Sequence, residues 1–400
     1  MNTRDAGTPS TSVSPDVGDL VPCSQRQLLL YFLRLGTLGF GGPIALVGYM
    51  EQDLVERRRW FSKQDYLEGL TLAQLAPGPL AAQLAIYLGW VRGRVMGATL
   101  TGLAFIAPSF LMVIALAILY IHYGGLPWVQ KAFYGVSAAV IAIIIRSAYK
   151  LTGITLGRDY LLWGLFAATA AITALTGAEI IWVFLAAGII ALLVKAPPHW
   201  GRKPPDTMLT MIGPLLLTGL HGPASAGTLG QIFGYFAAAG AFIFGSGLAI
   251  VPFLHSGVVD KFGWLDERQF LDAVAVAMIT PGPVVITVGF IGYLVAGVAG
   301  AILAALGVFL PCYLFVVIPA PYYRRYAGNP RIKAFIQGIT AAAVGAIGGA
   351  VFILGRHAIT DVPTVLICLV ALGVILRFKQ VPDPLVVLLA GLAGLTIRGW

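Results

Sequence analysis

Two short motifs of glycine and proline interrupt apolar stretches of this sequence and suit the binding of an anion. The first is Phe40-Gly41-Gly42-Pro43 and the second is Pro77-Gly78-Pro79. Proline lacks a backbone donor and glycine is conformationally free, so a straight helix cannot continue through either motif. A helix that restarts after the break points free N–H groups and its positive dipole end into the gap, which favours an oxyanion. The alternative is that these residues only form kinks and tight helix contacts.

Both motifs occur again in the second half of the chain. The first returns as Phe244-Gly245-Ser246-Gly247, and the second as Pro281-Gly282-Pro283 preceded by Thr280. Further matches keep the same order, among them Tyr31-Phe32 with Tyr235-Phe236, Trp60 with Trp264, and Lys131-Ala132-Phe133 with Lys333-Ala334-Phe335. So many matches in register indicate an internal duplication.

Polar side chains near the motifs are candidates for contact with the anion. Gln74 and Gln83 flank the first Pro-Gly-Pro motif and could donate amide hydrogens to an oxyanion or form bonds between helices. Arg34 lies inside the first apolar stretch, where an arginine marks a functional site unless it snorkels to the interface. Glu68 and Asp272 are equivalent acids that could carry a coupling proton or stabilise a helix N-terminus.

Catalytic and metal chemistry have little support in the sequence. Ser246 and His255 could be imagined as a dyad, but the GxSxG pattern is absent and no carboxylate is evident beside the histidine. The five histidines are scattered, with no pair at the spacing of metal ligands. The sequence therefore predicts no catalytic residue, no metal and no cofactor.

The composition indicates an integral membrane protein. Hydrophobic residues make up 58% of the chain and charged residues 11%, whereas soluble domains have about 25% charged residues. Residues 95–130 and 207–259 contain no Asp, Glu, Lys or Arg, and about 20 apolar residues suffice for a helical span. The net charge of +9 sits in short loops between apolar stretches, which favours cytoplasmic loops over binding of nucleic acid.

The duplication and the breaks predict the architecture. We expect an all-α integral membrane protein with a disordered tail at 1–26, a first repeat at 27–203, a linker at 204–226 and a second repeat at 227–400. Each repeat would have about five spans and a broken, re-entrant hairpin, at 65–91 and 269–295. An odd number of crossings makes the repeats inverted, and the basic residues then cluster on the cytoplasmic side.

The motifs also resemble those of a known family. Gly39-Phe40-Gly41-Gly42-Pro43, the loop through Trp60, and Leu75-Ala76-Pro77-Gly78-Pro79 resemble the signature of the chromate ion transporter family. Their recurrence resembles the long, two-domain members. The resemblance implies that both motifs are important for function in each half. The second half departs from it, since Ser246-Gly247 replaces Gly42-Pro43, so the two motifs need not contribute equally.

The resemblance implies a multi-pass transporter of a bacterial or archaeal inner membrane that exports chromate and confers resistance to it. Transport would be secondary active, an antiport driven by the proton motive force and inhibited by sulfate. A sulfate or other oxyanion transporter and a passive anion channel are the alternatives, and an intramembrane enzyme is disfavoured. The expected partners are chromate or sulfate and the lipid bilayer, without nucleic acid; a homodimer is left open.

Overall fold

The computed structural model describes a helical protein, without a β-strand in the described ranges. These are residues 20–40, 42–123, 126–176, 181–196, 226–242, 250–322, 329–378 and 381–397. The helices are α1 (Gln25–Leu38), α2 (Gly42–Met50), α3 (Lys63–Leu75), α4 (Leu80–Tyr123), α5 (Pro127–Leu156), α6 (Tyr160–Thr176), α7 (Ile181–Lys195), α8 (Ala226–Phe242), α9 (Ile250–His255), α10 (Glu267–Ile279), α11 (Thr287–Val317), α12 (Pro330–Ala358), α13 (Val362–Arg377) and α14 (Asp383–Ile397). Short 3₁₀ turns span Val284–Ile286 and Ala320–Tyr322.

Four helical segments are long and apolar enough to cross a bilayer: Leu80–Tyr123, Pro127–Gly153, Val284–Tyr322 and Pro330–Ala358. Large apolar side chains lie on the outside of the protein, such as Leu111, which is 65% exposed. Extended apolar surfaces of this kind are typical of contact with lipid. The chain is a multi-pass membrane protein.

Helix starts follow local sequence signals. Proline occupies the first turn of α5 and α12, where its missing N–H is not needed. Ser24 and Asp266 form capping boxes with residues three positions later, and these begin α1 and α10. Ser62 likewise accepts a hydrogen bond from the Asp65 N–H at the start of α3. Both predicted hairpins, which begin with α3 and α10, therefore start at a side-chain cap.

The long helices α4 and α11 each reverse direction at one sharp bend. The bend lies at Gly93 and Arg94 in α4, and at Ala296 and Gly297 in α11, where φ and ψ leave the helical region. Arg94 and Gly297 have φ values of 51° and 60°. Beyond the bend each helix runs back along itself, and glycine allows the close approach: a Cβ on Gly89 would lie 2.5 Å from the carbonyl oxygen of Gly97, eight residues on.

The Pro-Gly-Pro motifs form the tips of two helical hairpins. In the first repeat, a Cβ on Gly69 of α3 would lie 2.3 Å from the ring of Tyr87 in α4. Gly69 and Tyr87 lie at the same sequence distance before and after Gly78. Their contact shows that α3 and the first part of α4 are antiparallel. The second hairpin consists of α10, the turn at 281–283 and the first part of α11.

The duplication is visible in small details of the two repeats. A π-helical segment follows α2 and another follows α9, at Glu51–Arg57 and Ser256–Lys261. Equivalent hydrogen bonds surround them: Trp60 N–H to Leu54 O and Trp264 N–H to Val258 O, both 2.8 Å, and the Tyr31 and Tyr235 hydroxyls to the carbonyls of Tyr49 and Phe253.

The two repeats exchange their last helices. Helices α6 and α7 of the first repeat pack on α12 of the second, whereas α13 and α14 of the second repeat pack on α5 of the first. Helices α4 and α11 pack on each other. Each repeat therefore completes the core of the other. A cavity between α5 and α12 is lined by residues of both repeats.

Element boundaries differ from the prediction at two places. The apolar stretch after Gln130 predicts a span at 131–147, but helix α5 is longer and ends at Leu156. Order also begins before residue 26, since α1 starts at Gln25 and the Val21 N–H donates to the carbonyl of Arg59. Residues 1–19 of the predicted tail and 204–225 of the predicted linker lie outside the described residues.

Candidate anion-binding site

A cavity of about 590 Å³ lies between the two repeats. Its walls come from the first glycine motif, α3, the later part of α5, the second Pro-Gly-Pro turn, the start of α12 and the start of α14. Its lining includes Phe40, Pro43, Gln74, Leu80, Arg146, Lys150, Thr280, Gly282, Val284, Lys333 and Asp383.

Helix N-termini meet at this cavity. Pro43 lies in the first turn of α2, Leu80 is the first residue of α4, and Val284 begins the 3₁₀ turn that leads into α11. The first N–H groups of a helix have no partner within it, and the aligned peptide dipoles leave a partial positive charge there. The convergence of these ends favours an anion over a cation.

Basic side chains add full positive charges to the same cavity. Its described lining includes Arg146, Lys150 and Lys333 against a single carboxylate, Asp383. The Arg146 Nη2 donates to both Asp383 oxygens, at 2.8 and 2.9 Å. Neither lysine has an ion-pair partner within the described ranges. Two positive charges are therefore left over, which matches a dianion.

The basic residues of α5 lie on one face because of helical spacing. Residues at intervals of three and four share a face, and Ile143, Arg146 and Lys150, which have this spacing, all line the cavity. Sequence reasoning missed Arg146, Lys150 and Lys333 as site residues because it placed them in loops at the ends of shorter spans. The signal that could have found them was this periodicity, continued past residue 147.

The two Pro-Gly-Pro turns need glycine at their centres. Gly78 and Gly282 have φ values of 136° and 98°, a region that L-residues with a side chain rarely adopt. The Gly282 N–H donates to the carbonyl of Gly39, at 2.9 Å. The second Pro-Gly-Pro turn is thus joined directly to the first glycine motif, and both border the cavity.

Each hairpin tip packs against the long helix of the other repeat. A Cβ on Gly78 would lie 2.8 Å from Cys312 Sγ in α11, and a Cβ on Gly282 would lie 1.9 Å from Ser109 Oγ in α4. Ser109 Oγ in turn donates to the carbonyl of Gly36, at 3.0 Å. The tips therefore have no room for a side chain, and each tip is in direct contact with the other repeat.

The structure brings some of the predicted site residues to the cavity and places others elsewhere. Phe40, Pro43, Gln74, Thr280 and Gly282 line it. Gly42 starts α2, while Pro77, Gly78 and Pro79 form the first tip and Pro281 and Pro283 flank Gly282 in the second. Gly41, Phe244, Gly245, Ser246 and Gly247 lie outside the described residues.

Gln83 is buried behind the first tip and does not face the cavity. Its Nε2 donates to the carbonyl of Pro77, at 2.6 Å. Its Oε1 has no hydrogen-bond partner among the residues that the structure describes. The side chain therefore supports the turn from inside the hairpin.

Arg34 is on the outside of α1, in a separate groove. This groove has a volume of about 680 Å³ and is also lined by Arg57, Arg58 and Trp60. Among the described residues, Gly39 alone lines both this groove and the main cavity. Arg34 thus belongs to a basic surface beside the site, together with loop arginines.

The two predicted proton carriers have different surroundings. Asp272 is buried, and its Oδ2 accepts a hydrogen bond from the Tyr120 hydroxyl at 2.7 Å. Its Oδ1 has no partner within the described part of the chain. Glu68 is half-buried and accepts hydrogen bonds from Gln64 Nε2 at 2.9 Å and the Tyr87 hydroxyl at 3.4 Å. Neither acid lines the main cavity.

The structure corrects the prediction for the histidines. His255 does have a carboxylate beside it, since its Nε2 lies 2.9 Å from both oxygens of Glu267. His357 reaches the same carboxylate, with Nδ1 3.2 Å from Oε1. Spacing along the sequence could not show this pair, because α12 returns from the far end of the second repeat.

Comparison with known proteins agrees with this architecture. A sequence model described as "Chromate transporter" matches residues 26–192 and again residues 230–395. The chain belongs to the chromate transporter family. The double match gives the family protein two repeats, in line with the duplicated hairpins and π-helical segments.

Named relatives of this chromate transporter family protein cover nearly its whole length. A chromate transport protein of Cupriavidus metallidurans is 55% identical over 97% of this chain and 96% of its own. A probable chromate transport protein of Synechococcus elongatus is 56% identical over 93% and 95%. A chromate transport protein of Pseudomonas aeruginosa is 33% identical over 93% and 92%. No solved structure matches the chain.

Proposed function

We propose that this protein is a secondary active transporter that exports chromate across the bacterial inner membrane and thereby confers resistance. The observation that carries the proposal is the cavity between the repeats, where helix N-termini and an excess of two positive charges suit a dianion. The relatives named as chromate transport proteins support chromate as that dianion.

Binding would use the groups that are not already paired. Lys150 on α5 and Lys333 on α12 contribute point charges, while backbone N–H groups at the starts of α2 and α4 donate to the oxygens. In the absence of the anion, Asp383 holds Arg146. An incoming chromate competes with this carboxylate for the guanidinium, so occupancy can loosen the contact between α5 and α14.

The same pair connects binding to movement. Arg146 belongs to the first repeat and Asp383 to the second, so loosening their contact frees one repeat to rock against the other. The interlocked tips at Gly78 and Gly282 transmit the movement, because each packs on the other repeat. The anion would then be exposed to alternate sides of the membrane around a fixed site.

We place the two repeats in inverted orientation, with each Pro-Gly-Pro hairpin re-entrant. In this topology Arg146, Lys150 and Lys333 lie towards the cytoplasm, which agrees with the preference of basic residues for that side. The cavity would therefore be open to the cytoplasm, where chromate is collected for export.

Export of a dianion needs no nucleotide. A negative-inside membrane potential drives each negative charge outward by about 2.3 kcal/mol per 100 mV. Coupling to protons would add to this force. Asp272 is the better carrier of the two predicted acids, because it is buried and its Oδ1 accepts no hydrogen bond from the described residues. Glu68 is the second candidate.

The same cavity would accept sulfate, which is also a tetrahedral dianion. Transport of sulfate or another oxyanion on this scaffold is therefore the alternative function, and a passive anion channel is a second. The channel differs in one measurable respect, since it cannot accumulate its anion against an electrochemical gradient.

Chromate uptake into inside-out membrane vesicles tests the proposal. We expect energised vesicles to accumulate chromate, uncoupled vesicles to lose the accumulation, and sulfate to compete. Transport of sulfate but not of chromate would make sulfate the substrate in place of chromate. Chromate flux that never exceeds electrochemical equilibrium would identify a channel.

A further inference from the structure

A second cluster of polar side chains lies on the second repeat, away from the anion cavity. His255 ends α9, Glu267 begins α10, and His357 is near the end of α12. One ligand atom from each of the three lies within 4.8 Å of the other two. His255 is 4% exposed, whereas the His357 side chain is 45% exposed and leaves a way in from outside.

The distances fit a metal ion bound by two histidines and a carboxylate. Ligand atoms about 2.0–2.2 Å from a tetrahedral Zn²⁺ stand about 3.3 Å from one another. His255 Nε2 is 2.9 Å and His357 Nδ1 is 3.2 Å from Glu267 oxygens. Small adjustments would bring all three ligands to a shared ion, with the fourth position open to water.

A second carboxylate is placed to orient the buried histidine. His255 Nδ1, the nitrogen that faces away from Glu267, lies 3.4 Å from Asp260 Oδ2. Metal-binding histidines usually donate their other ring N–H to a carboxylate or carbonyl, which fixes the tautomer and the ring. Asp260 therefore lets Nε2 carry the lone pair towards the ion.

We propose that His255, Glu267 and His357 form a binding site for a divalent transition-metal ion, with Zn²⁺ as the best match. Imidazole and carboxylate ligands suit Zn²⁺, and three protein ligands with one open position are a common arrangement for it. The site is independent of the anion cavity and of the transported substrate.

The first repeat provides an internal comparison. Its positions equivalent to His255 and Glu267 hold Glu51 and Lys63, which form an ion pair. The position equivalent to His357 holds Thr155. A simple ion pair is thus sufficient to join the π-helical segment to the hairpin. The second repeat replaces the ammonium group with a carboxylate and adds a third ligand from α12, which an ion pair would not need.

A bound ion would cross-link three elements of the second repeat. It joins the end of α9, the start of the second hairpin and the end of α12. We therefore expect Zn²⁺ to stabilise one conformation of the second repeat.

Calorimetric titration of the purified full-length protein with Zn²⁺ tests the site. The protein carries an affinity tag without histidine and is stripped with EDTA in detergent. We expect one saturable Zn²⁺ per chain, and Co²⁺ in its place should give the intense visible absorption of a tetrahedral site. His357→Ala and Glu267→Gln should abolish both signals, and Asp260→Asn should weaken affinity about 10- to 100-fold.

His122→Ala is the matched control, because His122 is exposed on α4 and outside the cluster. Its titration should equal that of the wild type. The proposal is overturned if the wild type takes up no Zn²⁺ saturably, or if His122→Ala lowers binding as much as His357→Ala. Thermal unfolding of each variant without metal checks that the fold persists. Chromate is absent from every titration, so the outcome does not depend on the transport function.

Discussion

Two carboxylates in this protein differ in their partners, and the difference assigns them separate tasks. Asp383 accepts both of its hydrogen bonds from Arg146, so its charge is matched. Asp272 accepts one from the Tyr120 hydroxyl and leaves its Oδ1 without a partner in the described part of the chain. A carboxylate in the membrane interior with an oxygen that accepts no hydrogen bond is a candidate proton carrier. Asp383 is thus suited to gating, and Asp272 to exchange of a proton.

Replacement of Asp272 tests this assignment. Asp272→Asn keeps the shape of the side chain but cannot exchange a proton, so chromate uptake should lose its response to an imposed pH gradient. Uptake driven by the membrane potential alone should persist. The measurement is initial uptake into inside-out vesicles with and without the gradient. Glu68→Gln, at the equivalent and more exposed position, tests the second candidate in the same assay. An unchanged gradient response in Asp272→Asn would remove this carboxylate from the coupling mechanism.

At the scale of elements, the two Pro-Gly-Pro hairpins are the parts that sequence alone described best. Proline at each side of a glycine predicted the breaks, and the hairpins follow because α3 and α10 run antiparallel to the helices after the turns. The later part of α5 was described least well. Its basic residues ended the predicted span because charges normally mark loops, whereas here they face a polar cavity between the repeats.

Gly282 shows how tightly the hairpin tip is fitted. A side chain there would meet Ser109 Oγ, and the φ of 98° is unfavourable for any residue with a Cβ. Gly282→Ala should therefore lower chromate uptake about 5- to 150-fold, since strain and overpacking of about 1–3 kcal/mol fall on the moving contact. Gly164→Ala on α6, where a Cβ would meet nothing within 4 Å, is the control. Equal uptake by both variants, at equal amounts in the membrane, would contradict a role for the tip.

At the scale of the whole molecule, the repeats are interlocked and not merely joined. Helices α6 and α7 of the first repeat pack on α12 of the second, and α13 and α14 of the second repeat pack on α5 of the first. Sequence reasoning found the duplication but could not find this exchange, because matches along the chain do not tell which copy of a helix packs where. The same limit hid the meeting of His255 with His357 and of Lys150 with Lys333.

Inverted repeats predict opposite sides for equivalent positions. Gln64 and Arg268 occupy the same place near the start of their hairpins, and both are exposed. In a variant without cysteine, a single Gln64→Cys should react with a membrane-impermeant maleimide in inside-out vesicles only. Arg268→Cys should react in intact spheroplasts only. Labelling of both from the same side would show that the repeats are parallel.

The central claim is that the cavity between the repeats holds the transported anion. Its most direct test is the concentration dependence of chromate uptake into energised inside-out vesicles for Lys150→Gln/Lys333→Gln and for Lys131→Gln. Lys131 is the first-repeat equivalent of Lys333 and lies outside the cavity. Each lost charge-assisted hydrogen bond costs about 1.5–3 kcal/mol, so the loss of two should raise the KM for chromate at least about 100-fold. Lys131→Gln should match the wild type. A double variant with wild-type KM would contradict the claim and direct the search to the groove beside Arg34.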